Sequence, residues 1–162
     1  MFQKILIGLL MVNEIFALEW QDCSLQADIP SLHVVDYSHS PDPARLDQNH
    51  TISKTYLYSG NEPLKSLHEL VFIDISPVHP LDETFHSWTP YFNNSFDLCD
   101  KDSDKDSPCP IEPHFSFTLS DDHTPSAAPP SWFRAVEYYY DADVEINNLI
   151  GCLTTIYQTV DN

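Results

Sequence analysis

From residue 32 onward, apolar and polar positions alternate every second residue in short runs, the spacing of strands rather than helices. In Leu70-Val-Phe-Ile-Asp-Ile-Ser76, Val71, Ile73 and Ile75 share one face, and Leu70, Phe72 and Asp74 the other. His114 to Ser120 alternates cleanly, with Phe115, Phe117 and Leu119 on the inward side. Phe133 to Asp141 alternates less cleanly: Val136 and Tyr138 fall on one side, Phe133, Ala135 and Tyr139 on the other. Ile150 to Val160 is rich in β-branched residues, which suit a pleated surface. Leu32 to Tyr37 and Thr51 to Tyr58 read as two more strands.

Turn signals separate these runs at Ser40-Pro-Asp-Pro43, Ser59-Gly-Asn-Glu-Pro63, Ser76-Pro-Val-His-Pro80 and Thr124 to Pro130. Pro63 to Leu70 has room for one helical turn, and no segment sustains a 3.6-residue period. Seven or eight short strands at this spacing predict an all-β fold, an immunoglobulin-like two-sheet antiparallel sandwich forming one domain.

The N-terminus follows different rules. Met1 to Lys4 is a short positive start, and Ile5 to Val12 is an unbroken apolar run of eight residues. Crossing a bilayer takes about 20. With Ile15-Phe-Ala17 ahead of a cleavage point, residues 1–17 read as a secretory signal peptide and residues 18–162 as the mature domain. That domain is long enough to bury a core of its own.

A formal charge of −18 argues against nucleic acid, whose binding depends on Lys and Arg neutralising phosphates. The four cysteines of a secreted chain predict two disulfides, and four cysteines allow three connectivities. Nearness in the chain favours Cys99–Cys109, with Cys23–Cys152 tying the first strand to the last. Asn49-His-Thr51 and Asn93-Asn-Ser95 are glycosylation sequons, which places Asn49 and Asn93 on exposed surface.

Candidate chemistry is sparse. Asp100, Asp102 and Asp104 imitate the first ligands of an EF-hand, yet Lys105 stands where its glycine belongs and Ile111 where its bidentate Glu belongs. Cys99, Cys109, His114 and His123 match no compact zinc spacing, so no metal and no cofactor is expected. There is no G-x-S-x-G elbow, and after residue 17 the only glycines are Gly60 and Gly151, too far apart to cradle phosphate. No catalytic residue is expected, and the chain does not read as an enzyme. The charged stretch Asp100 to Pro108 reads instead as the solvated tip of a hairpin closed by Cys99 and Cys109.

Several short motifs, in order, resemble the ML-domain family of lipid-recognition proteins. They are Cys23, Pro41-Asp-Pro43, Asp97-Leu-Cys99, Cys109-Pro-Ile111, Ala128 to Arg134, and Cys152-Leu-Thr154. The family includes fungal phosphatidylglycerol/phosphatidylinositol transfer proteins and the soluble Niemann-Pick type C sterol carrier. The third disulfide usual in the sterol carriers is missing, which tilts the likeness toward the fungal branch. The resemblance implies two splayed sheets with an apolar cavity between them. It implies the pairs Cys23–Cys152 and Cys99–Cys109, and a monomer that carries a sterol or phospholipid between membranes. The expected lining is Val71, Ile73, Ile75, Phe96, Phe115, Phe117, Trp132, Val136 and Tyr138. The implied partners are the lipid, a membrane met transiently, and a membrane-bound lipid-accepting protein. The implied location is the secretory pathway: a vacuole or lysosome lumen, or the cell exterior. The alternative implied by the immune members is a module that presents a bound lipid to a receptor.

Overall fold

The computed structural model describes residues 19–24, 31–46, 48–100, 107–123, 131–142 and 148–161. The expected signal peptide, residues 1–17, and the acidic stretch 101–106 lie outside the described residues. Among the described residues nine strands follow one another: β1 (Glu19–Asp22), β2 (Leu32–Ser40), β3 (Ala44–Arg45), β4 (His50–Tyr58), β5 (His68–Ser76), β6 (Thr89–Asp97), β7 (Ser116–His123), β8 (Trp132–Tyr140) and β9 (Leu149–Val160). One sheet has the order β1-β9-β8-β5-β6, with the short β3 lying parallel to the end of β9. The second sheet is β2-β4-β7. All other pairings are antiparallel.

The period-two runs become strands because alternate side chains of each find an apolar partner across the sandwich. Leu32, Val34 and Tyr37 of β2 and Tyr56 and Tyr58 of β4 pack against Tyr139 of β8 and Leu153 of β9. Leu64, Leu67 and Ile111 join this cluster from the connections, and Cys99 and Cys109 pack against it. The densest packing therefore lies at one end of the sandwich, the end that carries the Cys99–Cys109 bridge.

Both disulfides join the expected partners. Cys23–Cys152 has a Cα–Cα distance of 5.1 Å, and Cys99–Cys109 one of 5.3 Å. The hairpin reading of the second needs correction. β6 pairs with β5 in one sheet, whereas β7 pairs with β4 in the other. The Cys99–Cys109 bridge thus closes a crossover between the sheets.

Two further expectations change. Residues 63–70 form no helical turn: Leu64 instead exchanges backbone hydrogen bonds of 2.9 Å with Ile111, and β5 begins at His68. The inward face of β8 is Phe133, Ala135, Glu137 and Tyr139, all buried. Trp132, Val136 and Tyr138 lie on the opposite face, where Tyr138 meets Phe72 edge-on and Arg134 pairs with Asp74. The physical reason is Glu137, an acid on the buried face whose partner comes from a distant strand.

Candidate functional site

The two long sides of the sandwich are built differently. On the β1–β2 side the sheets are sewn together. Ser24 accepts the backbone N–H of Cys152 at 2.7 Å and lies 3.2 Å from the Leu32 carbonyl, to which its hydroxyl donates. Asp22 and His33 add a 3.1 Å contact there, and Cys23–Cys152 lies alongside. Trp20, Val34, Val35 and Leu57 line a shallow open depression over this seam.

The β6–β7 side is open. Side chains directly opposite in an antiparallel pair point to the same face. Glu69 of β5 faces the space between the sheets, since it bonds Lys54 of the opposite sheet. Phe96 stands opposite Glu69, and Phe92 opposite Ile73, so both phenylalanines face inward. They are nevertheless 42% and 45% exposed, while inward residues of the neighbouring β8 are buried. The second sheet does not cover them. On the facing lip, Phe117 and Leu119 of β7 are opposite Tyr56 and Lys54 and only half buried. A cleft walled by Phe92, Phe96, Ile73, Phe117 and Leu119 results.

The floor of this cleft is polar. Lys54 Nζ donates to Glu69 Oε1 at 2.8 Å and to Glu137 Oε2 at 2.6 Å. Tyr139 donates its hydroxyl to the same Glu137 oxygen, and Tyr56 donates to the Tyr139 hydroxyl at 3.1 Å. Burial, reinforced by Glu69, pushes Glu137 up to about 7 against the pull of Lys54. Burial is the largest influence on Glu69 and opposes its ionisation, but Lys54 together with hydrogen bonding to Glu137 and Tyr139 holds it below the usual carboxylate range. For Lys54 the desolvation is again overcome, by Tyr56, Glu137 and Glu69, and its ammonium is held well above its ordinary value. Lys54 is thus paired with two carboxylates, of which Glu69 is ionised and Glu137 is about half protonated at pH 7.

Of the expected lining residues, the structure brings Val71, Ile73, Ile75, Phe96 and Phe117 to the inner faces. Phe115 precedes β7; its carbonyl accepts the N–H of Tyr58, and it is 53% exposed at the cleft's end. Trp132, Val136 and Tyr138 are not brought to the cleft. Leu119 was read as inward but not as lining, whereas Phe92 and the Lys54–Glu69–Glu137 floor escaped the sequence reading. Local pattern could not reveal them, because β6 has no alternation and the floor joins residues far apart in the chain. Asn49 and Asn93 are both exposed.

No protein-family model matches the chain, and no curated protein sequence matches it. Solved structures do resemble it. A Niemann-Pick type C2 protein from the Japanese carpenter ant superposes with a TM-score of 0.60 at 16% identity, over 88% of this chain and 99% of that one. The fold is that of the ML domain. The C-terminal domain of wzt gives a TM-score of 0.56 at 7% identity, over 90% of this chain and 79% of that one. Chicken MD-1 complexed with lipid IVa gives 0.48 at 11% identity, over 86% of each chain. At these identities the likeness concerns the fold alone.

Proposed function

We propose that the protein is a lipid carrier that holds the apolar part of a sterol or phospholipid in the cleft between β6 and β7. The observation that carries this reading is the exposure of Phe92 and Phe96 on the inner face of the sandwich. Inward aromatic side chains left in water favour an apolar occupant by about 2.5 kcal/mol for every ~100 Å² of surface covered. Patches of this kind mark binding sites in soluble proteins. The one cation beneath them, Lys54, is already taken by two carboxylates, which fits an apolar ligand better than an anionic one.

The two disulfides suit the lumen of the secretory route or the cell exterior. In that setting the protein passes its cargo between membranes or to a membrane-bound acceptor. A charge of −18 repels anionic bilayers, so delivery is faster where salt screens the charge or acid reduces it.

The test begins with solvent extraction of the purified protein and mass spectrometry of what comes off. A vesicle-to-vesicle transfer assay with fluorescent sterol and phospholipid follows. The double variant Phe92→Asp, Phe96→Asp should stay folded, because both side chains already meet water, and should lose most of the transfer activity. A folded wild type that neither binds nor transfers either lipid, at pH 5 or pH 7.4, ends the carrier reading.

A further inference from the structure

The sequon Asn93-Asn-Ser95 lies within β6, and the register of that strand decides where its side chains point. Phe92, Asn94 and Phe96 stand opposite Ile73, Val71 and Glu69, so they face the cleft. Asn93 and Ser95 stand opposite Phe72 and Leu70 and face the other way, onto the outer surface of the sheet. Both are exposed. The acceptor amide and the hydroxyl of the sequon therefore share one face, and the residue between them is not proline. A group attached to Asn93 leaves the cleft unobstructed.

The outer surface beside Asn93 is apolar although it meets water. Leu70 and Phe72 of β5 stand opposite Tyr138 and Val136 of β8. Phe72 is 38% exposed and meets Tyr138 edge-on, with ring centroids 6.1 Å apart. Leu70, Val136 and Tyr138 are half-buried. Among the described residues β6 is the last strand of its sheet on this side. Its outer backbone groups thus form the kind of edge with which another chain can pair.

Directly opposed residues of an antiparallel pair have Cβ atoms about 5 Å apart. A sugar joined to the Asn93 amide nitrogen therefore starts within reach of the Phe72 ring. A pyranose has faces made of C–H groups. Laid on an aromatic ring, such a face leaves water together with the apolar surface beneath it, while the sugar hydroxyls stay solvated. We propose that Asn93 carries an N-linked glycan whose first N-acetylglucosamine lies on Phe72 and covers the outer aromatic face of β5 and β8. The same glycan stands beside the free edge of β6 and hinders pairing with another chain. The proposal rests on the secretory placement above, because the modification is made in that lumen, and is independent of what the cleft holds.

The experiment expresses the full chain, residues 1–17 included, in eukaryotic cells that add only high-mannose glycans. Protein from the medium is trimmed with endoglycosidase H, which leaves one sugar on each occupied asparagine, and its peptides are weighed by mass spectrometry. The Asn93 peptide should carry that sugar in most molecules. The trimmed wild type should melt about 2–4 °C above the equally trimmed Asn93→Gln variant, the shift of one modest surface contact. In a Phe72→Ala background most of that gap should disappear; a sugar at Asn49 is common to both arms and cancels. Secreted protein that has lost residues 1–17 but is bare at Asn93 overturns the proposal and leaves the secretory reading standing. A chain kept in the cytosol with residues 1–17 attached overturns both. A sugar at Asn93 with no melting gap, or with a gap that Phe72→Ala leaves intact, overturns the proposal as well. Should either variant not fold, proton resonances of the sugar in the trimmed wild type decide. Over a phenyl ring they move upfield, and resonances at the positions of the free sugar count against the proposal.

Discussion

Lys54 on β4 and Glu137 on β8, 83 residues apart in the chain, meet at 2.6 Å between the sheets. Removing the cation leaves Glu69 and Glu137 together in the interior. Lys54→Met should therefore cost about 3–5 kcal/mol, measured as a shift in the urea midpoint. Replacing all three residues, as Lys54→Met with Glu69→Leu and Glu137→Leu, should regain most of that loss. A Lys54→Met protein as stable as the wild type would show that the bridge is not formed.

Stability should depend on pH through two opposed sets of groups. Glu137 has a folded value near 7, above its unfolded value, so the folded state holds its proton more tightly. Its contribution is fully present below the unfolded value near 4.5 and declines as pH rises through 7. His39 and His50 have folded values near 4, below their unfolded 6.5. Their contribution is present above 6.5 and is lost as pH falls to 4, by up to roughly 3 kcal/mol per imidazole. The unfolding midpoint should pass through a maximum close to pH 6.5 and fall steeply toward 4. Glu137→Gln should flatten the alkaline side of that curve, and His50→Phe should reduce the acid side. A midpoint that climbs steadily from 6.5 to 4 contradicts the histidine assignments, and one that does not fall between 6 and 8 contradicts that of Glu137.

The disulfides enclose very different lengths of chain, with sequence separations of 129 and 10. On the loop-entropy estimate, replacing Cys23 and Cys152 with Ser costs about 4.9 kcal/mol, and replacing Cys99 and Cys109 about 2.7. Thermal unfolding of the two double variants should rank them in that order. The reverse order would mean that the crossover bridge supports more than its own loop.

Gly151 packs against β2 without a side chain. A Cβ there would sit 2.8 Å from the Leu32 carbonyl oxygen and 3.2 Å from both Leu32 Cβ and Tyr139 Cδ2. Because the nearest atom belongs to the backbone, Gly151→Ala should cost about 1–3 kcal/mol, although alanine ordinarily suits a strand better than glycine. An unchanged melting temperature would mean that β2 and β9 are free to part.

Most of the fold was legible in the sequence where one face of a strand is apolar and the other polar. β2, β4, β5, β7, β8 and β9 announced themselves in this way, with ends misplaced by a few residues. β6 did not: Thr89-Pro-Tyr-Phe-Asn-Asn-Ser-Phe-Asp97 is exposed along its whole length, so burial imposes no alternation on it. Only its end was read, as the run closed by Cys99, and that run was joined to the strand after Cys109 as a hairpin because nothing local shows that β6 pairs with β5. β8 was assigned the wrong inner face because Glu137 is buried there with Lys54, and nothing near Glu137 in the chain signals that partner.

The staple between Cys99 and Cys109 has a mechanical consequence. β6 ends and β7 begins beside it, and the Leu64–Ile111 pair braces the same end. The two lips of the cleft are therefore pinned next to Phe96 and Phe117, like the blades of shears joined at a rivet. Any parting of the blades is smallest at the rivet and grows with distance along the strands. It is widest at the far ends of the two strands, by Tyr91 and His123, so a bulky guest of the proposed carrier would come and go there and not beside the staple.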